Sequence, residues 1–183
     1  MEGEVVSCGR IQPFARRGLN FDFPTDIYPN LISRLRGAPL RAAFSGEGIT
    51  QLECSRKIDS RWSALENLGH LLDLEELWQL RVSEFLAGQT EITARNMKLQ
   101  GAPEARYNER DWPGLVSEFA SARRLLVERF DLLEPEQFEL RSFHPLLRRE
   151  LRLVDALYFM TEHDDHHLAL IWDLLHRGSG IAG

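Results

Sequence analysis

The sequence predicts an all-α protein, a bundle of four long amphipathic helices. Two observations carry this. Apolar residues recur at i, i+3 and i+4 over four separate stretches of the 183-residue chain, the spacing of one buried helical face. Glycine and proline punctuate the chain between those stretches, and no stretch shows a convincing strand pattern. A composition of 43% hydrophobic and 27% charged residues suits a soluble globular domain, and the length suits one sizeable core.

Residues 1–27 read as an arm that packs on the domain or on a second subunit. Gly3, Gly9, Pro13, Gly18 and Pro24 break any helix there, and a short strand is conceivable only around Val5-Val6. The first helical pattern begins at Pro29, a residue suited to a first helical position, and runs through Leu31, Ile32 and Leu35. Pro39 is expected to break or kink it, because proline removes a helix hydrogen bond and clashes with the preceding turn. The second helix is expected over 61–87, with Asp59 or Ser60 as its cap and Gly88 as its stop. Its face carries His70, Leu74, Leu77, Trp78, Arg81 and Phe85, so His70 looks inward from mid-helix.

Residues 89–111 read as a long polar connection. The third helix is expected over about 113–130, from Pro113, with Leu115, Phe119, Leu126 and Phe130 inward. The fourth is expected to start between 146 and 151 and to end near His176, with Gly178 beyond it. Residues 28–178 thus form the bundle domain and 179–183 a frayed tail.

The stretch that points to chemistry is Glu162-His163-Asp164-Asp165-His166-His167. His163 and His167 share the apolar stripe of Leu157, Met160, Ile171 and Leu174, about 6 Å apart along a helix. Burying two imidazoles requires partners for four ring nitrogens, and a shared metal ion supplies one partner to each ring. His166 sits toward the edge of the stripe. A bundle places such sites between facing helices, which can bring His70 opposite the pair.

A net charge of −6 argues against a general nucleic-acid partner. Arg16-Arg17, Arg123-Arg124 and Arg148-Arg149 read as solvated helix surface. No run approaches the roughly 20 apolar residues of a membrane span, and the N-terminal ten residues lack the apolar core of a signal peptide. Cys8 and Cys54 stand in no metal or redox spacing and read as free thiols, so a reducing cytoplasm is expected.

The blocks Trp62-Ser63, Gly69-His70-Leu71-Leu72-Asp73, Trp78 and Arg81 resemble the second helix of the DinB-like superfamily. Phe143-His144-Pro145, with Glu162 to His167 and Ile171, resembles that family's last helix. The resemblance spans residues 28–177 and leaves the arm outside it. It implies an up-down-down-up bundle, in place of simple antiparallel order, with 89–111 as a crossover. It also implies a divalent metal (zinc, nickel or iron) held by His70, His163 and His167. Known members include bacterial thiol S-transferases and isomerases that use small cytoplasmic thiols, and homodimers are common among them.

Three imidazoles leave positions open for water or substrate. Asp73, one turn after His70, and Glu162, beside His163, are candidates to orient the ligands, with a plain surface acid as the other reading of each. His166 is expected as a general base or a rim residue, and His144 as a residue that shapes its loop. Arg81 could meet an anionic substrate or form a structural ion pair, and Trp62, Trp78 and Trp172 read as core. The reading is therefore a metal-dependent enzyme of the thiol S-transferase type acting on a small molecule. A hydrolase is the alternative, since His163-Asp164-x-x-His167 imitates the zinc-protease pattern with Asp164 as base. A metal-binding interaction protein without catalysis is the third reading.

Overall fold

The structure, a computed structural model, describes residues 11–58, 61–94 and 106–176. The expectations for Val5-Val6, Cys8, Asp59, Ser60, Gly178 and the tail fall outside those residues. The elements are α1 (Tyr28–Ser45), a short α2 (Gln51–Ser55), α3 (Ala64–Leu86), α4 (Trp112–Asp131), the strands β1 (Arg141–His144) and β2 (Arg149–Arg152), and α5 (Leu153–His176).

Local chemistry satisfies free amides at the starts of α3 and α4. At α3 the cap is Ser63: its hydroxyl accepts from Glu66 N, and Glu66 accepts in return from Ser63 N. Asp111 accepts from Gly114 N at 2.8 Å at the head of α4, where Pro113 lies in the first turn. Gly88 stops α3 in the left-handed region, at φ 67°.

Two expectations change. The break at Pro39 does not occur, and α1 runs through it with Pro39 buried. Proline has no N–H for the carbonyl four residues back, which is that of Leu35. Arg123 Nη1 donates to that carbonyl at 3.4 Å, so the orphaned acceptor has a partner from α4. The segment expected to begin the last helix is instead an antiparallel hairpin pairing His144 with Arg149 and Arg141 with Arg152. Leu153 N donates to Leu140 O at 2.8 Å at its base, so α5 begins only at Leu153. The crossover joins this hairpin: Phe143 N donates to Thr90 O and Ile92 N to Phe143 O.

Side-chain pairs fix the direction of every long helix. Arg34 meets Glu162 and Ser45 meets His176, so α1 and α5 run parallel. Asn67 meets His167 and Trp78 meets Phe159, so α3 runs against α5. Glu75 meets Arg123 and Ser83 meets Arg129, so α3 and α4 are parallel. The order is up-down-down-up. The packed neighbours are α1 with α4 and α5, and α3 with α4 and α5. The other two pairs face each other across the diagonals.

The apolar core divides at mid-height. One cluster holds Leu74, Trp78 and Phe85 of α3 with Leu153–Met160 residues of α5, and the other holds Leu65, Leu68 and Leu71 with Leu168, Ile171 and Leu175. Between them lies a polar layer. Arg123, 1% exposed, is not helix surface as expected. It bonds Glu75 on α3, Asp164 on α5 and the Leu35 carbonyl on α1, so one side chain of α4 ties all four helices. Cys54 is a free, buried thiol.

The arm packs on its own bundle where described. Phe21 and Phe23 both lie against Tyr158, and Phe14 against Phe159 and His163.

Candidate metal centre

The polar layer also carries the histidines. Because α3 and α5 are antiparallel neighbours, His70 faces the turn of α5 that presents His163 and His167. His70 Nε2 lies 3.3 Å from His163 Nε2, and one ligand atom from each of the three rings lies within 4.8 Å of the others. All three are buried. Two nitrogens bound at about 2.0–2.1 Å around a tetrahedral ion stand roughly 3.3–3.4 Å apart, so the His70–His163 spacing fits a shared ion, with His167 within reach of the same point.

The tautomer of His167 follows from a chain of bonds. Asn67 Nδ2 donates to Ser63 O at 2.8 Å, which leaves Asn67 Oδ1 to accept from His167 Nδ1 at 2.8 Å. The proton therefore sits on Nδ1, and Nε2 keeps its lone pair. Ser63, the helix cap, thus positions the residue that positions the ligand. Asn67→Leu is expected to cut divalent-metal affinity about 10–100-fold, measured by competition with a chromophoric chelator.

Apolar rings close the centre. Trp62 lies 4.9 Å from the His70 ring and stacks 6.1 Å from His167. Phe14 meets His163 edge-on at 5.0 Å. Tyr107 packs so closely on α3 that a Cβ at Gly69 would lie 2.3 Å from its ring, which explains glycine beside His70.

The acids of the motif all serve elsewhere. Glu162, expected behind His163, instead accepts from Arg34 at 2.7 Å and lies 3.8 Å from Arg17. Asp165 pairs with Arg34 and Arg41. Asp164, 1% exposed, pairs with Arg123 on the far side of the helix, so it cannot act as base for water at the histidines. Asp73, expected behind His70, is exposed and accepts from the Tyr107 hydroxyl. These acids sit one to four residues from a histidine, but helical rotation turns each toward another neighbour.

His166 is buried beside the centre, 5.2 Å from the His167 ring, and is not among the three convergent ligands. Burial, and then the Arg17 charge, lower its pKa and keep it neutral. Trp78 is core as expected, whereas Trp62 is half-buried over the centre and Trp172 is 43% exposed. Sequence reasoning missed Asn67, although an amide inside an apolar helix, one turn before His70, was a signal.

A cavity of about 590 Å³ opens beside His163. Its walls are mostly apolar, from Phe14, Leu74, Trp78 and Phe159, with Arg81 and His144 also lining it.

Fold and site together define a class: a bundle with parallel outer helices that offers three convergent imidazoles at mid-height. The sequence profile described as the DinB superfamily matches residues 37–171. The chain belongs to the DinB superfamily. Among solved structures it is similar to YfiT from Bacillus subtilis, described as a probable metal-dependent hydrolase with an unusual four-helix bundle topology. The TM-score is 0.77 at 20% identity, over 88% of this chain and 93% of that one, a likeness of fold. No curated protein matches the chain.

Proposed function

We propose that the protein is a metal-dependent enzyme of the thiol S-transferase type, with a divalent ion (zinc, nickel or iron) held by His70, His163 and His167. The observation that carries this is the convergence of three buried imidazoles next to a cavity of small-molecule size. Bound there, such an ion supplies Lewis acidity that makes a thiol or a water nucleophilic at neutral pH. The chain's own residues do the rest. Asn67 holds the His167 tautomer, Trp62 and Phe14 exclude bulk water, and the cavity wall orients the electrophile. His166 is assigned the role of proton acceptor beside the centre.

Hydrolysis is the second reading, favoured by the description of YfiT. It lacks the base that the motif suggested, since Asp164 is committed to Arg123. Turnover of a small electrophile with bacillithiol, mycothiol or glutathione, with and without chelator, separates the two. Loss of turnover on chelation and dependence on thiol support transfer, and His166→Gln should then slow turnover without lowering metal content. Turnover with water alone makes it a hydrolase. Metal uptake without any turnover leaves a metal-binding interaction protein.

No helix among the described residues is long and apolar enough to cross a membrane. The use of a small thiol places the protein in the cytoplasm under this proposal.

The proposed partner is a second copy of the chain. The arm's aromatic residues are engaged on their own bundle, so the contact is assigned to exposed Leu40, Phe44 and Trp172 on α1 and α5. Light scattering at micromolar concentration should give twice the chain mass, and a monomer mass would remove the dimer.

A further inference from the structure

One wall of the cavity beside the metal centre does not belong to the bundle. Phe14, Leu19 and Phe21 of the arm line it, together with Leu74 and Trp78 of α3 and Phe159 of α5. The residues matched by the superfamily profile begin at 37, so this wall lies outside them.

The arm is fastened to the bundle unevenly. At its C-terminal end Arg152 Nη2 donates to the carbonyls of Phe21 at 3.3 Å and Phe23 at 2.9 Å. Phe21 is buried there, and both phenyl rings meet Tyr158. Upstream the polar ties are fewer. The amides of Arg16 and Arg17 donate within the arm itself, to Pro13 O and Phe14 O. The one ion pair from residues 11–20 to the bundle, among the described residues, is Arg17 with Glu162 at 3.8 Å. Apolar packing sets Phe14 in place: its ring stands edge-on to Phe159 at 5.3 Å and to His163 at 5.0 Å. Phe14 therefore borders both the cavity and a proposed ligand of the ion.

The polar side chains around the cavity are engaged by the protein. Arg81 donates to Thr93 O at 3.0 Å, His144 Nδ1 accepts from Leu147 N at 3.3 Å, and the Arg149 guanidinium lies 4.7 Å from the centre of the Phe21 ring. The surface left for a ligand is mainly aliphatic and aromatic, and binding to such a wall grows with the apolar area removed from water.

We propose that the arm is the specificity wall of the site, completing a pocket for an uncharged apolar molecule held between Phe14 and Leu19 on one side and Leu74 and Trp78 on the other. This rests on the proposed function for the reaction and deepens it by naming the substrate class. The pocket itself does not require metal.

The test is calorimetric binding of butanol, hexanol and octanol to the full chain, metal-free and metal-loaded. Each added methylene should tighten binding about fourfold in both forms, as burial of one CH2 requires. Octanoate and octylamine should bind more weakly than octanol, because each brings a charge that must leave water. Phe14→Ala combined with Leu19→Ala should weaken octanol about tenfold or more, whereas Leu125→Ala, an exposed position on α4 away from the cavity, should not change it. If the double variant does not fold, amide exchange of the unaltered protein decides: octanol should slow exchange over residues 14–19 at least about threefold. Equal binding of butanol and octanol, tightest binding by a charged octyl probe, or octanol binding indifferent to the arm variant overturns the proposal. So does exchange over 14–19 that octanol leaves unchanged. Metal-free, arm-dependent binding of octanol sustains the pocket even if thiol transfer fails.

Discussion

His167→Ala should lower divalent-metal affinity about a hundredfold to a thousandfold while the protein stays folded. Tetrahedral zinc sites spread roughly 10–16 kcal/mol over four ligands, so one imidazole accounts for a few kcal/mol of binding. The bundle does not need that energy. Its two apolar clusters are closed by Leu, Phe and Trp side chains above and below the histidine layer. The metal-free variant should lose only about 1–3 kcal/mol, the cost of leaving Asn67 Oδ1 without the donor it now has. Competition with a chromophoric chelator measures the first effect, and thermal unfolding in EDTA the second. A melting transition that disappears in EDTA for the unaltered protein would mean that the metal is structural.

Arg123→Ala should cost about 3–5 kcal/mol of stability, because it strands two carboxylates in the core. Burial already pushes Glu75 and Asp164 upward, and the guanidinium pulls both back. Without it, both folded-state values stay further above those of the unfolded chain. Stability carried by a carboxyl raised in this way is fully present below the unfolded value, near about 4, and is lost as pH rises through the folded value. The deficit of Arg123→Ala should therefore be larger at pH 8 than at pH 5 in urea unfolding. Combining it with Glu75→Gln and Asp164→Asn should recover part of the loss. An equal deficit at both pH values would show that the stranded charges are not its cause.

The contrast between these two sites also measures what the sequence could disclose. The apolar stripes were legible because each repeats over four or more turns, and the three histidines because they fall on those stripes. The central cluster was not. Arg123 stands next to Arg124, which is exposed and pairs with Glu128 four residues on. Adjacent residues on a helix differ by about 100° in direction, and an arginine pair in sequence carries no mark of which one points inward. The same rotation turns Glu162 and Asp164 toward arginines and Asp73 toward Tyr107. The effect of Pro39 is not legible locally, because its cost depends on whether the freed carbonyl finds a donor, and that donor lies 88 residues from the carbonyl, in α4. The hairpin was missed because its strands are four residues each, too short for alternation to be told from chance.

The diagonal placement of α1 against α3, and of α4 against α5, bears on how the molecule can come apart. Cutting the chain in the crossover would yield two halves, each with two long helices that do not pack on one another. Every apolar stripe faces the opposite half. Neither half contains a helical hairpin that could stand alone, so the bundle has no smaller autonomous unit. Most of its helix interfaces join segments distant in sequence, and their chain entropy is lost before any of them is rewarded. This order favours an all-or-none transition in which a disturbance at any one helix is shared by the whole domain.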